Sequence, residues 1–230
     1  MRNVASQFGL DPSADIDVIA LNLIILAPNN KTNKTQTLDE DAQQMLTESF
    51  NSQQQWKQKG EIQFKPPNSL VAGRIVIELF PKESPKTVEN FKALCTGEKG
   101  NSKLNKEKKL HYKGCPFHRI IKGFMCQGGD LLYGDGRGGE SIFGKKFNDE
   151  KGGLALHHGK GFVSMANSGK NSNTSQFFIT FADRPTLDKK HTVFGKVIDG
   201  FEVLQEIEDR AASDDGTPLL PVKIHDCGIL

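Results

Sequence analysis

Beyond residue 60 the chain runs in short apolar stretches separated by glycine, and this punctuation restricts the fold more than any other feature. Only Gly9 and Gly60 fall in the first sixty residues, so 21 of the 23 glycines lie beyond them. Residues 74–80 read R-I-V-I-E-L-F, and 161–166, 176–181, 192–198 and 221–226 are similarly short and apolar. Stretches of this length, rich in β-branched residues and bounded by turn formers, read as strands. Many of them in succession predict a mainly β domain, a sandwich or a barrel. Two segments break the pattern. Ser84 can cap a helix, Pro85 suits its first turn, Gly97 follows its end, and Val88, Phe91 and Leu94 share a face. A second helix is expected after Asp199, carrying Phe201, Leu204 and Ile207. There is no internal repeat.

A chain of 230 residues can bury roughly 70% of its unfolded surface. Its 30 Lys+Arg balance 28 Asp+Glu, a net charge of +2 that gives no push toward nucleic acid or an acidic membrane. Four cysteines are too few for a disulfide scaffold and lack zinc spacing, which points to a reducing compartment, the cytoplasm or the nucleus. The longest apolar run, 18–27, is broken by Asn22 and is too short to span a bilayer. Asp11, Asp15 and Asp17 precede it in place of a basic leader, so no export signal is expected. A membrane-spanning protein, a collagen and a cystine knot are excluded.

The first sixty residues are polar and form an expected N-terminal extension. Thr37 and Glu40 have capping-box spacing, and Leu38, Ala42, Met45 and Phe50 form a narrow apolar stripe. This segment reads either as an amphipathic helix docked on a neighbour or as a flexible leader with transient helix. Asn30-Lys31-Thr32 and Asn33-Lys34-Thr35 fit glycosylation acceptors that stay idle without secretion.

Several motifs carry less than they promise. Residues 134–139 match G-x-G-x-x-G, but no helical period follows, so they read as a glycine-rich surface loop. His111, Cys115, His118 and the pair His157-His158 lack the paired spacing of a zinc site. No G-x-S-x-G elbow supports serine hydrolysis. The lysine-rich stretch 98–113 reads as a solvated loop or as an anion-binding patch. Residues 117–130, F-H-R-I-I-K-G-F-M-C-Q-G-G-D, are different. On a regular strand Phe117, Arg119 and Ile121 share one face, and an Arg between large apolar residues is unusual unless its rigid donors have a task. Gly123 can turn the chain, and Phe124 and Met125 then offer adaptable apolar surface. An Arg lying over a core edge would read the same way.

Residues 117–130 resemble the signature stretch of the cyclophilins, the cyclosporin-binding class of peptidyl-prolyl cis-trans isomerases. The likeness continues in order through 84–91 (S-P-K-T-V-E-N-F), 161–167 (G-F-V-S-M-A-N), 175–180 (S-Q-F-F-I-T) and 187–197 (L-D-K-K-H-T-V-F-G-K-V). It covers Gly73 to the end, with a start near Glu61, so residues 61–230 are expected to form the isomerase-like domain and 1–60 an extension with one helix. The resemblance implies an eight-stranded antiparallel barrel closed by two α-helices. It implies prolyl isomerisation of proline-containing peptides and proteins by a monomer that needs no cofactor and no metal, assisting protein folding. A non-catalytic module using the same groove, docked in a larger assembly through the extension, is the rival reading.

The resemblance also assigns residues. Arg119 is the expected electrophilic donor, with Phe124 and Gln127 beside it. Met125, Phe178 and Leu187 should line a proline pocket. Ala166, Asn167, Gln176 and His191 should border the groove, Asn167 through its main chain. Thr186 stands where many members have Trp, whose indole packs on cyclosporin. Weaker cyclosporin binding is therefore expected. Residues 97–111 resemble the insertion of divergent-loop members, in which a cysteine pair is linked to redox control, and Cys95 and Cys227 occupy the corresponding places. For the first strand two candidates stay open. One is Glu61 to Lys65, interrupted by Pro66-Pro67. The other is 16–27, which would make 28–60 an insertion.

Overall fold

The computed structural model describes residues 18–25, 44 and 71–230. By internal contacts the chain divides into two units, Met1–Ala27 with Val71–Leu230, and Pro28–Leu70. Of the second only Gln44 is described, and it is helical and exposed. The rest of the helix expected after Thr37, the acceptors at Asn30 and Asn33, and the Glu61–Lys65 candidate strand lie outside the described residues.

The first unit is built on eight antiparallel strands. They are β1 (Val18–Ile25), β2 (Val71–Leu79), β3 (Phe117–Ile121), β4 (Met125–Gly128), β5 (Phe162–Met165), β6 (Phe177–Thr180), β7 (Val193–Asp199) and β8 (Val222–Ile229). Their order is β3-β4-β6-β5-β7-β2-β1-β8. The two end strands approach each other. Pro116 bridges to Lys223, Gly114 N–H donates to the Ile224 carbonyl at 2.7 Å, and Ile224 N–H donates to Cys115 at 3.0 Å. A sheet that meets itself leaves few strand-edge groups unpaired, and the result is the nearly closed barrel expected.

Of the two candidates for the first strand, the structure uses the second. β1 pairs with β2 on one side and β8 on the other. Ile19, Leu21 and Leu23 alternate inward and are fully buried, as period two requires. Asn22, which interrupts the apolar run, accepts a hydrogen bond from Arg74 Nε, its partner across the β1–β2 ladder, at 2.9 Å. A stretch read above as part of the extension thus contributes a barrel strand.

Helix α1 (Pro85–Thr96) begins at Ser84 and ends at Gly97, whose φ of 70° places it in the left-handed region that glycine tolerates. Its N-terminus is capped differently from expectation. Ser84 Oγ donates to the Val193 carbonyl, while the Glu150 carboxylate accepts from the Lys86 and Thr87 amides at 3.0 and 2.8 Å. A charge at that position also complements the helix dipole. Phe91 projects from α1 into the core, where its ring centroid lies 4.9–5.2 Å from those of Tyr112, Phe177 and Phe194. A short helix α2 (Lys151–Leu154) follows, and α3 (Phe201–Ala211) buries Val203, Leu204 and Ile207. Phe201, the first residue of that helix, is exposed. Among the described residues no helix is long and apolar enough to cross a membrane.

Candidate functional site

The hairpin of β3 and β4 positions the guanidinium. The expectation that Phe117, Arg119 and Ile121 share a face is not met, because the β3–β4 register shifts between Phe117 and Arg119. Such a bulge breaks the alternation. Phe117 and Ile120 consequently both enter the core, and Arg119 is exposed. Behind Arg119 sits Gly216, with φ 89°, where a Cβ would lie 3.1 Å from Arg119 Cγ. The Ser213–Thr217 turn thus backs the arginine stem, a support the sequence did not reveal. The guanidinium makes no hydrogen bond or ion pair among the described residues.

Across the ladder Arg119 faces Gln127. The orientation of that amide follows from its neighbours. Gln176 Nε2 donates to the carbonyls of Gly136 and Gly138 at 2.8 and 2.6 Å, and carbonyls can only accept. Gln176 Oε1 is then left to accept from Gln127 Nε2 at 2.8 Å. Gln127 Oε1 remains an acceptor beside Arg119. The glycine-rich loop that supplies those carbonyls is wound around Asp130, whose carboxylate accepts from the amides of Leu132, Tyr133, Asp135, Gly136 and Gly138. Burial pushes the Asp130 carboxyl up, but these amides outweigh it and hold its pKa below the ordinary value. The G-x-G-x-x-G stretch therefore serves to hold Gln176, and through it Gln127.

The β3–β4 turn is held from two sides. Glu208 on α3 accepts from Gly123 N–H at 2.6 Å, and Arg184 donates to the Gly123 carbonyl. The Arg184 guanidinium also lies 5.6 Å from the Phe124 ring centroid. Neither Glu208 nor Arg184 was singled out from sequence, since both lie more than sixty residues from the turn. Phe124 and Met125 form one wall of a cavity of about 140 Å3 that also touches Arg119 and Gln127. Phe178, Leu187 and His191 form the apolar wall, and Ala166 and Asn167 form the rim. Of the remaining expected positions, Gln176 lines the adjoining cavity. Thr186 is exposed on a 3-10 turn (Pro185–Leu187), and its carbonyl accepts from Lys190 Nζ.

The apolar wall rests on a stack of rings. His191 meets Phe178 edge-on at 5.2 Å, and His158 lies parallel to Phe178 at 6.1 Å. His191 Nδ1 donates to the Met165 carbonyl at 2.9 Å. Burial pushes the His191 pKa down, against a smaller upward pull from that carbonyl. His158 is fully buried and its pKa is also lowered by burial, against its hydrogen bond to Asp188. Asp188 accepts from both His157 and His158. Partial burial raises the Asp188 pKa, but these bonds override it and bring it down to about 2. On the rim, Asn167 ties its side chain to the Lys190 carbonyl and the Gly169 amide.

Outside the site the thiols are unlike one another. Burial pushes Cys115 and Cys126 up to about 12, so neither is a nucleophile at neutral pH. Cys95 and Cys227 are both free, and Cys227 Sγ donates to the Cys95 carbonyl at 3.3 Å.

Residues 63–229 match the family model described as cyclophilin type peptidyl-prolyl cis-trans isomerase/CLD. A curated relative from Rhizopus delemar, named peptidyl-prolyl cis-trans isomerase cyp11, is 55% identical over 158 residues, 69% of this chain. The chain spans 46% of that relative's length.

Proposed function

The chain belongs to the cyclophilin-type peptidyl-prolyl cis-trans isomerase family, and on that premise we propose that it accelerates rotation about X–Pro bonds in polypeptides. The bond prefers trans by only about 0.5–1 kcal/mol, yet amide resonance sets a barrier of about 18–20 kcal/mol. No nucleophile is required. A catalyst must hold the proline ring, leave the preceding carbonyl free to turn, and favour the twisted state over both planar ones. In the twisted state the imide nitrogen pyramidalises and regains a lone pair. A fixed cationic donor can bond that lone pair only then, so the interaction lowers the barrier without tightening the ground state.

The observation that carries this reading is one small cavity lined by Phe124, Met125, Phe178 and Leu187, with the Arg119 guanidinium on its edge making no hydrogen bond among the described residues. Phe178 and Leu187 hold the ring. Gln127 Oε1 orients the guanidinium or the substrate, and the Asn167 main chain holds the peptide. A rate gain of ~10⁴ requires about 5.5 kcal/mol of preferential stabilisation, of which one preorganised donor supplies about 3–4 kcal/mol. The client is any exposed X–Pro segment of a cytoplasmic or nuclear polypeptide, and the protein acts as a monomer. Cyclosporin binds weakly, because Thr186 cannot supply the packing area of an indole.

The test is the relaxation of a short X–Pro peptide after a solvent jump. We expect the relaxation to shorten in proportion to protein concentration. Relaxation at the spontaneous rate would leave a binding module only. In the same assay Thr186→Trp should tighten cyclosporin inhibition at least ten-fold, and equal inhibition of both proteins would remove Thr186 as the cause.

A further inference from the structure

The lysine-rich loop has a cavity of its own. Lys108, Lys109 and Lys113 from the loop and Lys223 from β8 surround a cleft of about 560 Å3. Asp130 alone among the lining residues carries a carboxylate, and its oxygens are committed to backbone amides. Asp226 neutralises Lys113 at 3.0 Å. Lys108, Lys109 and Lys223 have no ion pair among the described residues. The cleft therefore gathers three lysines without an ion pair among the described residues against one lining carboxylate, Asp130, a net positive concavity that concentrates an anionic ligand.

Its position gives the cluster a meaning. The far wall includes Leu132 and Tyr133, and Tyr133 is 63% exposed. The same two residues line an intermediate cavity of about 600 Å3, which also touches Lys146. That intermediate cavity shares Gln127, Ala166 and Asn167 with the cavity at Arg119. Three cavities thus share walls in series, from the guanidinium to the lysine cluster. We propose that the lysine cleft is an exosite for an acidic stretch of the same polypeptide whose proline occupies the Arg119 cavity, so that acidic clients are preferred. This rests on the isomerase reading and adds a substrate class to it. A polypeptide fits the track better than a nucleic acid, because the groove it continues from offers main-chain partners at Asn167 and an apolar ring pocket. The chain's net charge of +2 also provides no broad field for a phosphate backbone.

The experiment uses the full chain and three peptides around one X–Pro bond: four Glu placed several residues before it, four Glu placed after it, and a control with Gln in their place. We expect one Glu peptide to show kcat/KM at least ten-fold above the Gln control at low salt, with the ratio falling toward one in 0.5 M NaCl. The same ratio should fall toward one in the double variant Lys109→Gln, Lys223→Gln. A ratio near one for both Glu peptides with the unaltered protein overturns the proposal. Should no peptide be turned over, the isomerase reading fails, and fluorescence anisotropy of a labelled, proline-free Glu-rich peptide tests the cleft independently. Binding weakened at least ten-fold by the double variant then supports the cleft, and binding indifferent to it overturns it. Displacement of that peptide by a single-stranded oligonucleotide at ten-fold lower concentration would overturn the choice of a polypeptide occupant.

Discussion

Arg119 offers a rigid, planar set of donors at the cavity edge, and the lone-pair mechanism asks it to donate a hydrogen bond, not to give up a proton. His191 shares its cavity, and burial holds that imidazole in the neutral form at pH 7. No other group lining the cavity ionises between pH 7 and 9. We therefore expect kcat/KM for a neutral X–Pro peptide to be flat across that range. A bell or a step with a midpoint inside it would mean that a proton is being transferred, and the lone-pair mechanism would be wrong. The arginine was legible in the sequence as a charged residue among apolar neighbours. The bulge that turns it outward was not, since nothing within residues 117–121 marks it and it shows only in the register against β4. Nor was the orientation of Gln127, which depends on carbonyls of the Asp130 loop brought to Gln176 from 38 and 40 residues away.

Among the elements, β1 is the informative case. Residues 16–27 stood in the sequence as one of two candidates for the first strand, and nothing local decided between them. Its neighbours β2 and β8 begin some fifty and two hundred residues later, and local pattern carries no information about pairing at that separation. Leu21 is fully buried between those strands, so Leu21→Ala should cost about 3 kcal/mol in a chemical denaturation curve. A change below about 0.5 kcal/mol would show that 18–25 does not belong to the sheet. The start of α1 teaches the same lesson. Ser84 stands where a cap should, but the carboxylate that satisfies the Lys86 and Thr87 amides comes from Glu150, about sixty residues away. The glycine punctuation, by contrast, located β2, β5, β6, β7 and β8 to within a few residues, because turn chemistry is local, whereas β4 was read only as apolar surface after Gly123.

For the molecule as a whole, pH should act on stability in two steps with the same sign. His118, His158 and His191 all have folded pKa values lowered chiefly by burial. The unfolded chain therefore binds more protons as pH drops below about 6.5, and stability present above that value is lost on acidification. A second loss begins near pH 4, where the unfolded carboxyls protonate before Asp188, held at about 2, and Asp130, held low by its amides. We expect Tm to fall by about 5 °C between pH 7.5 and 5.5. A constant or rising Tm would contradict the neutral, buried state of these histidines. The barrel, the helices and the ring stack together hold one exposed guanidinium at the edge of an apolar cavity, and the catalytic reading depends on that placement. The direct measurement is the exchange rate of a short X–Pro peptide with Arg119→Ala, alongside a melting curve. We predict an unchanged melt and turnover at least ten-fold lower, whereas full turnover with an unchanged melt would remove Arg119 from the mechanism.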